Sequence, residues 1–218
     1  NNGGILSFEK VQIATSSLNG LWQLSGTSTI ANSEFNNQPV ALLTQRGSLS
    51  ISSSSFHHHT TAGVTANSGN LVLTGNSFVA NNKVSQISAG TNFVHSNNTA
   101  VGNSVNGFSF NNTITSNQTW NKDLPYVVSR LYVSTGKTLT IDPGVIVKFT
   151  VADSPSLVID GNLRVNGTPD DKVYFTSYYD DTVGGDTNGD GTAQVTGKGQ
   201  WGNMTFNSGS TASINSAI

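Results

Sequence analysis

Asp186-Thr-Asn-Gly-Asp-Gly191 is the stretch whose spacing could do chemistry. Oxygen-bearing side chains at positions 1, 3 and 5 (Asp186, Asn188, Asp190), with Gly191 at position 6 for a sharp turn, reproduce the first half of a calcium loop. Position 7, where a backbone carbonyl would bind, is Thr192. Position 12 is Gly197 rather than Glu, so the EF-hand pattern is incomplete. Asp180 and Asp181 precede the loop and are placed to supply the missing carboxylates. The plainer alternative is a turn loop built from Asn-Gly and Asp-Gly. Solubility does not account for Asp180, Asp181, Asp186 and Asp190 crowding together in a chain that is only 10% charged. The expectation is a structural Ca2+ held by Asp180, Asp181, Asp186, Asn188, Asp190 and Thr192.

His57-His-His59 is a second candidate. In extended backbone His57 and His59 point the same way, and such a pair can hold zinc or copper. No Cys or carboxylate lies nearby in sequence, so the expectation is a polar loop or outward ridge. His95, beside Asn97, reads as an ordinary rung residue. Glycosidases need paired carboxylates across the sugar. The only Glu residues are Glu9 and Glu34, and none of Arg46, Arg130 and Arg164 lies near a paired acid. No catalytic residue is assigned. Cleavage or binding of a polysaccharide is kept as the alternative.

The elements that must carry this loop are short, alternating and repeated. Thr138-Leu-Thr-Ile-Asp-Pro-Gly-Val-Ile-Val-Lys-Phe149 is answered by Ser156-Leu-Val-Ile-Asp-Gly-Asn-Leu-Arg-Val-Asn-Gly167. Leu139 matches Leu157, Ile141 matches Ile159 and Val147 matches Val165, each 18 residues on. In the first half, Phe35, Phe56 and Phe78 recur at steps of 21 and 22, with Thr99 next and Val11 one step earlier. Such periods mark strands coiled into a solenoid, in which each turn buries its apolar side only against its neighbours. Ser33, Ser54, Asn76 and Asn97 hold one place in each repeat. Stacked at about 4.8 Å they would form a hydrogen-bonded ladder, with Phe35, Phe56 and Phe78 stacked inside. The expected fold is all-β: a right-handed parallel β-helix in two segments. Residues 1–112 form one, 113–120 a join, and 121–218 the other, with the acidic loop at 178–192. Trp120 or Leu124 would plug an open coil end.

The formal charge of −2 offers no basic field for nucleic acid or an anionic membrane. There is no Cys, which excludes a disulfide framework, and no apolar run long enough to span a bilayer.

Leu139-Thr-Ile-Asp-Pro-Gly-Val-Ile-Val-Lys-Phe149, Phe175-Thr-Ser177, Asp180-Asp181, Gly184-Gly-Asp-Thr-Asn-Gly-Asp-Gly191 and Trp201-Gly202 resemble the opening rungs of pectin-lyase-like parallel β-helix repeat proteins. The resemblance covers roughly residues 120–218, and the first half resembles later rungs of that fold. It implies a large secreted or surface protein of bacteria. The expected work is mechanical: a spacer, fibre or adhesin stalk, with cell-surface glycans as possible partners. Residues 1–112 look like the continuation that residues 121–218 lack. The surface around Ile214 and Ile218 is therefore expected to meet that around Ile5, Phe8, Val11 and Ile13 of the next unit, in a tandem array or a head-to-tail filament.

Overall fold

The computed structural model describes residues 2–88, 90–150 and 156–218, and the backbone alone at 111 and 112. The described residues contain no helix. Parallel strands make up 52% of them and stack as a β-solenoid of about seven turns. Gly, Asn, Ser and Thr at the corners and alternating apolar residues between them favour this outcome over helix. Two compact units result, Asn1–Ser109 and Phe110–Ile218. The division falls a few residues ahead of the join expected at 113–120.

In the first unit each turn contributes three strands. The first holds β1 (Ile5–Glu9), β2 (Gln12–Ala14) and β3 (Leu21–Gln23). The second holds β4 (Thr27–Ala31), β5 (Glu34–Asn36) and β6 (Val40–Thr44). The third holds β7 (Ser48–Ser52), β8 (Ser55–His57) and β9 (Ala62–Ala66), and the fourth β10 (Gly69–Thr74), β11 (Ser77–Val79) and β12 (Lys83–Ile87). Then come β13 (Thr91–Ser96), β14 (Thr99–Val101) and β15 (Val105–Ile114), the last running past the unit boundary. The strands pair in parallel in the orders β1-β4-β7-β10-β13, β2-β5-β8-β11-β14 and β3-β6-β9-β12.

Left-handed residues make the corners. Lys10, Asn32, Ser53, Gly75 and Asn97 form one column with φ between 47° and 64°. Thr15, Asn37, His58, Ala80 and Gly102 form a second, and Gly26, Gly47 and Gly69 a third. At the third only Gly fits: a Cβ on Gly47 would lie 2.2 Å from the Gly26 carbonyl oxygen.

In the first column the residue after the corner turns inward from the second turn on, at Ser33, Ser54, Asn76 and Asn98, and this builds the ladder. The Ser33 amide donates to Ser54 Oγ at 3.1 Å, that of Ser54 to Asn76 Oδ1 at 3.0 Å, and that of Asn76 to Asn98 Oδ1 at 3.1 Å. The fourth rung is therefore Asn98, not Asn97. Asn97 is exposed and takes the corner itself, with φ 57°. The step is 22 residues, and two adjacent Asn hid the shift. Val11 is displaced likewise. Ile13 faces Phe35, whereas Val11 follows Lys10 and its amide donates to Ser33 Oγ.

Phe35, Phe56 and Phe78 stack as expected, with centroids 5.1 and 4.9 Å apart and planes within 14°, all fully buried. Each such pair adds about 0.5–1.5 kcal/mol beyond area burial. A second ladder lies five residues after the first. The amides of Gln38, His59 and Asn81 donate to His59 Nδ1, Asn81 Oδ1 and Asn103 Oδ1 at 3.3, 3.0 and 2.8 Å.

The second unit carries β16 (Gln118–Trp120), β17 (Tyr126–Val133), β18 (Thr138–Ile141), β19 (Ile146–Phe149), β20 (Leu157–Ile159), β21 (Asn162–Asn166), β22 (Tyr174–Ser177), β23 (Met204–Phe206) and β24 (Thr211–Asn215). One sheet runs β16-β18-β21-β24. The long β17 pairs with β19, which pairs with β22, and further along with β20, which pairs with β23. The 18-residue register is corrected here. Leu139 pairs with Leu163 and Ile141 with Val165, 24 residues on, while Leu157 and Ile159 lie in β20 beside β17. Val147 faces Phe175 rather than Val165. The similar strings lie in different sheets of the coil, so matching text gave the wrong rise. Trp120 is buried and stacks on Tyr126 at 4.2 Å, with Phe110 5.2 Å away.

Candidate metal centre

Strand β19 positions the site from below. Val147 and Phe149 are buried, Phe149 stacking on Trp201 at 4.7 Å. Alternation turns the intervening Lys148 to the other face. There the loop after β22 covers it completely. Its Nζ donates to the carbonyls of Asp180 at 2.7 Å and Gly185 at 2.9 Å. Burial pulls the ammonium down to a pKa of about 8, against the pull of Asp180, Asp181 and Asp186.

Asp180 is not among the carboxylates that come together in this loop. Its Oδ2 accepts from Thr176 Oγ1 at 2.6 Å, and its Oδ1 accepts from the amide and hydroxyl of Thr182. Burial opposes ionisation, but these bonds and Lys148 hold its pKa below the usual carboxylate value. Its work is to fold the start of the loop.

Asp181, Asp186 and Asp190 do come together. Each offers a carboxylate oxygen, and these lie within 4.8 Å of one another. Within the loop the Asp190 and Gly191 amides donate to Asp186 Oδ1 and Oδ2 at 3.1 and 3.0 Å. Gly191 takes the left-handed conformation, φ 74°, that the sharp turn requires. Asn188 Nδ2 donates to Asp190 Oδ2 at 2.7 Å. Asp181 Oδ1, Asn188 Oδ1 and Asp190 Oδ1 are buried and have no hydrogen-bond partner. Burial, and then the neighbouring Asp186 charge, push the Asp181 carboxyl up. Buried oxygens without donors are costly. A hard cation would supply what they lack, and the donor set fits Ca2+. Thr192 is exposed and lines a cavity of about 230 Å³ together with Tyr179 and Asp181.

The histidines separate. His57 Nε2 pairs with Glu34 Oε1 at 2.9 Å on the surface, and His58 is an exposed corner. His59 is no ridge residue: it is 1% exposed and forms a rung of the second ladder. His95 is buried between Phe93 and Phe108, at 4.5 and 4.6 Å. Of the residues expected to meet a further unit, Ile5, Ile214 and Ile218 are 90%, 48% and 62% exposed, and Phe8, Val11 and Ile13 are partly buried. Lys148 carries a signal in the sequence: it stands in Ile146-Val-Lys-Phe149, where a charge interrupts an apolar run. The second ladder also had a signal. Gln38, His59, Asn81 and Asn103 recur at steps of 21, 22 and 22, each five residues past the first ladder.

No protein-family model, curated protein or solved structure matches this chain.

Proposed function

We propose that this chain is an extracellular structural module, a rigid spacer or stalk, whose second unit is stabilised by Ca2+ at Asp181, Asp186, Asn188 and Asp190. The observation that carries the metal is the set of three buried, partnerless oxygens in one acidic loop. The mechanical role rests on the repeated rungs, because each added turn lengthens a solenoid by about 4.8 Å. The resemblance of residues 120–218 to pectin-lyase-like repeat proteins supports a bacterial surface or secreted setting for such a module. Strands β1 and β24 lie at the ends of their sheets, and Ile5 and Ile214 are exposed on them. Unpaired edges of this kind invite further strands. The partner is a further turn of the same kind, from the next repeat of a longer chain or from a second copy. Sedimentation of the protein with Ca2+ tests the second source. A concentration-dependent series of linear species supports it, and a monodisperse monomer at all concentrations rules it out.

One observation favours a second reading, sugar binding. Trp22 is 52% exposed beside a cavity of about 390 Å³, lined also by Ser17, Leu18, Asn19 and Pro39. An uncharged groove with an aromatic face suits a neutral sugar ring. Quenching or shift of tryptophan fluorescence with soluble neutral oligosaccharides, lost in Trp22→Ala, tests it.

A further inference from the structure

We infer that Lys148 is the positioning residue of the acidic loop, holding Asp181 and Asp186 in liganding geometry before any cation arrives. This rests on the calcium reading and deepens it. Lys148 grips the carbonyls of residues 180 and 185, the one immediately before Asp181 and the other immediately before Asp186. It does so from β19, whose register is fixed by pairing with β17 and β22. The loop's anchor is thus a strand of the coil, not another loop. Asp180, locked by Thr176 and Thr182, fixes the near end of the segment between those two carbonyls. One ammonium does not neutralise Asp181, Asp186 and Asp190, so the cluster keeps a net negative charge that draws a divalent ion.

The claim makes a prediction of sign. Simple electrostatics says that removing a cation beside the site strengthens Ca2+ binding. Positioning says that binding weakens, as for other residues that orient metal ligands, by about 10–100-fold.

The test compares wild type, Lys148→Met and Lys148→Gln by hydrogen exchange without calcium and by calorimetric titration with Ca2+. The expected result is faster exchange at the amides of Thr182, Asp190 and Gly191, unchanged exchange in β18 and β21, and weakened Ca2+ binding. Unchanged loop exchange, or tighter binding in both variants, overturns the inference. So does loss of protection throughout the unit in both variants, which would make Lys148 a residue of the coil rather than of the loop. If loop exchange depends on Lys148 but wild type binds no Ca2+, the positioning stands and the metal reading falls.

Discussion

The amide of Ser54 donates to the side-chain oxygen of Asn76, 22 residues further along the chain and one turn away, at 3.0 Å. That bond shows how the coil satisfies its corners. A left-handed residue frees the next amide from the strand ladder, and the following turn supplies a side-chain acceptor. Asn76 also donates from Nδ2 to the Ile51 carbonyl and to Asn98 Oδ1, so one side chain serves three groups.

Asn98→Leu should therefore destabilise the first unit by about 1–3 kcal/mol, because it leaves the Asn76 amide without its acceptor and takes one donor from the Leu73 carbonyl. Asn97→Gly, one position earlier, should be neutral or mildly stabilising at its left-handed φ. Denaturant melts of the two variants decide between the registers, and equal losses would contradict the corrected one.

Backbone conformation gives opposite signs at two other corners. Ala80 sits at φ 54° with no side chain that helps it there. The left-handed form costs an L-residue about 1–2 kcal/mol, so Ala80→Gly should raise the melting temperature. Gly47→Ala should lower stability by about 1–3 kcal/mol, through its φ of 96° and its collision with the Gly26 carbonyl. Thermal unfolding of both variants measures the two signs.

The Phe column predicts a large local loss. Phe56 is stacked on both neighbours, so Phe56→Ala should cost about 3–5 kcal/mol. Phe35, whose other in-register neighbour is Ile13, should cost less. Chemical denaturation of the two variants ranks them.

His59 predicts an acid limb. Burial lowers its pKa from the ordinary 6.5. Above pH 6.5 both folded and unfolded states hold it neutral, and its contribution is constant. As pH falls below that value the unfolded chain takes up a proton that the folded one resists, so stability is lost down to the folded-state pKa. His59→Asn, which installs the residue found at rungs 81 and 103, should flatten this part of the curve. Melting temperatures of both proteins across that range check it, and parallel curves would contradict it.

The repetition and its class of fold were legible because small polar residues recur at steps near 22. Register was less so. Asn97 and Asn98 are chemically identical, and only the corner's φ tells which one points inward. The second unit misled for another reason: Leu139 and Leu157 sit in similar strings, but the chain had passed only part of a turn between them. In the site, the alternation of Asp186, Asn188 and Asp190 was visible in one dimension. That Asp181 joins them while its neighbour Asp180 bonds to hydroxyls depends on how the loop folds over Lys148, and no local spacing encodes it.

The most direct test of the account is the melting temperature of wild type and Asp190→Ala with Ca2+ and with EDTA. The account predicts that Ca2+ stabilises wild type over the chelated protein by about 2.7 kcal/mol at a hundredfold excess over its dissociation constant. It also predicts that Asp190→Ala, which removes one of the partnerless oxygens, loses this difference. Coincident wild-type curves with and without chelator would contradict it.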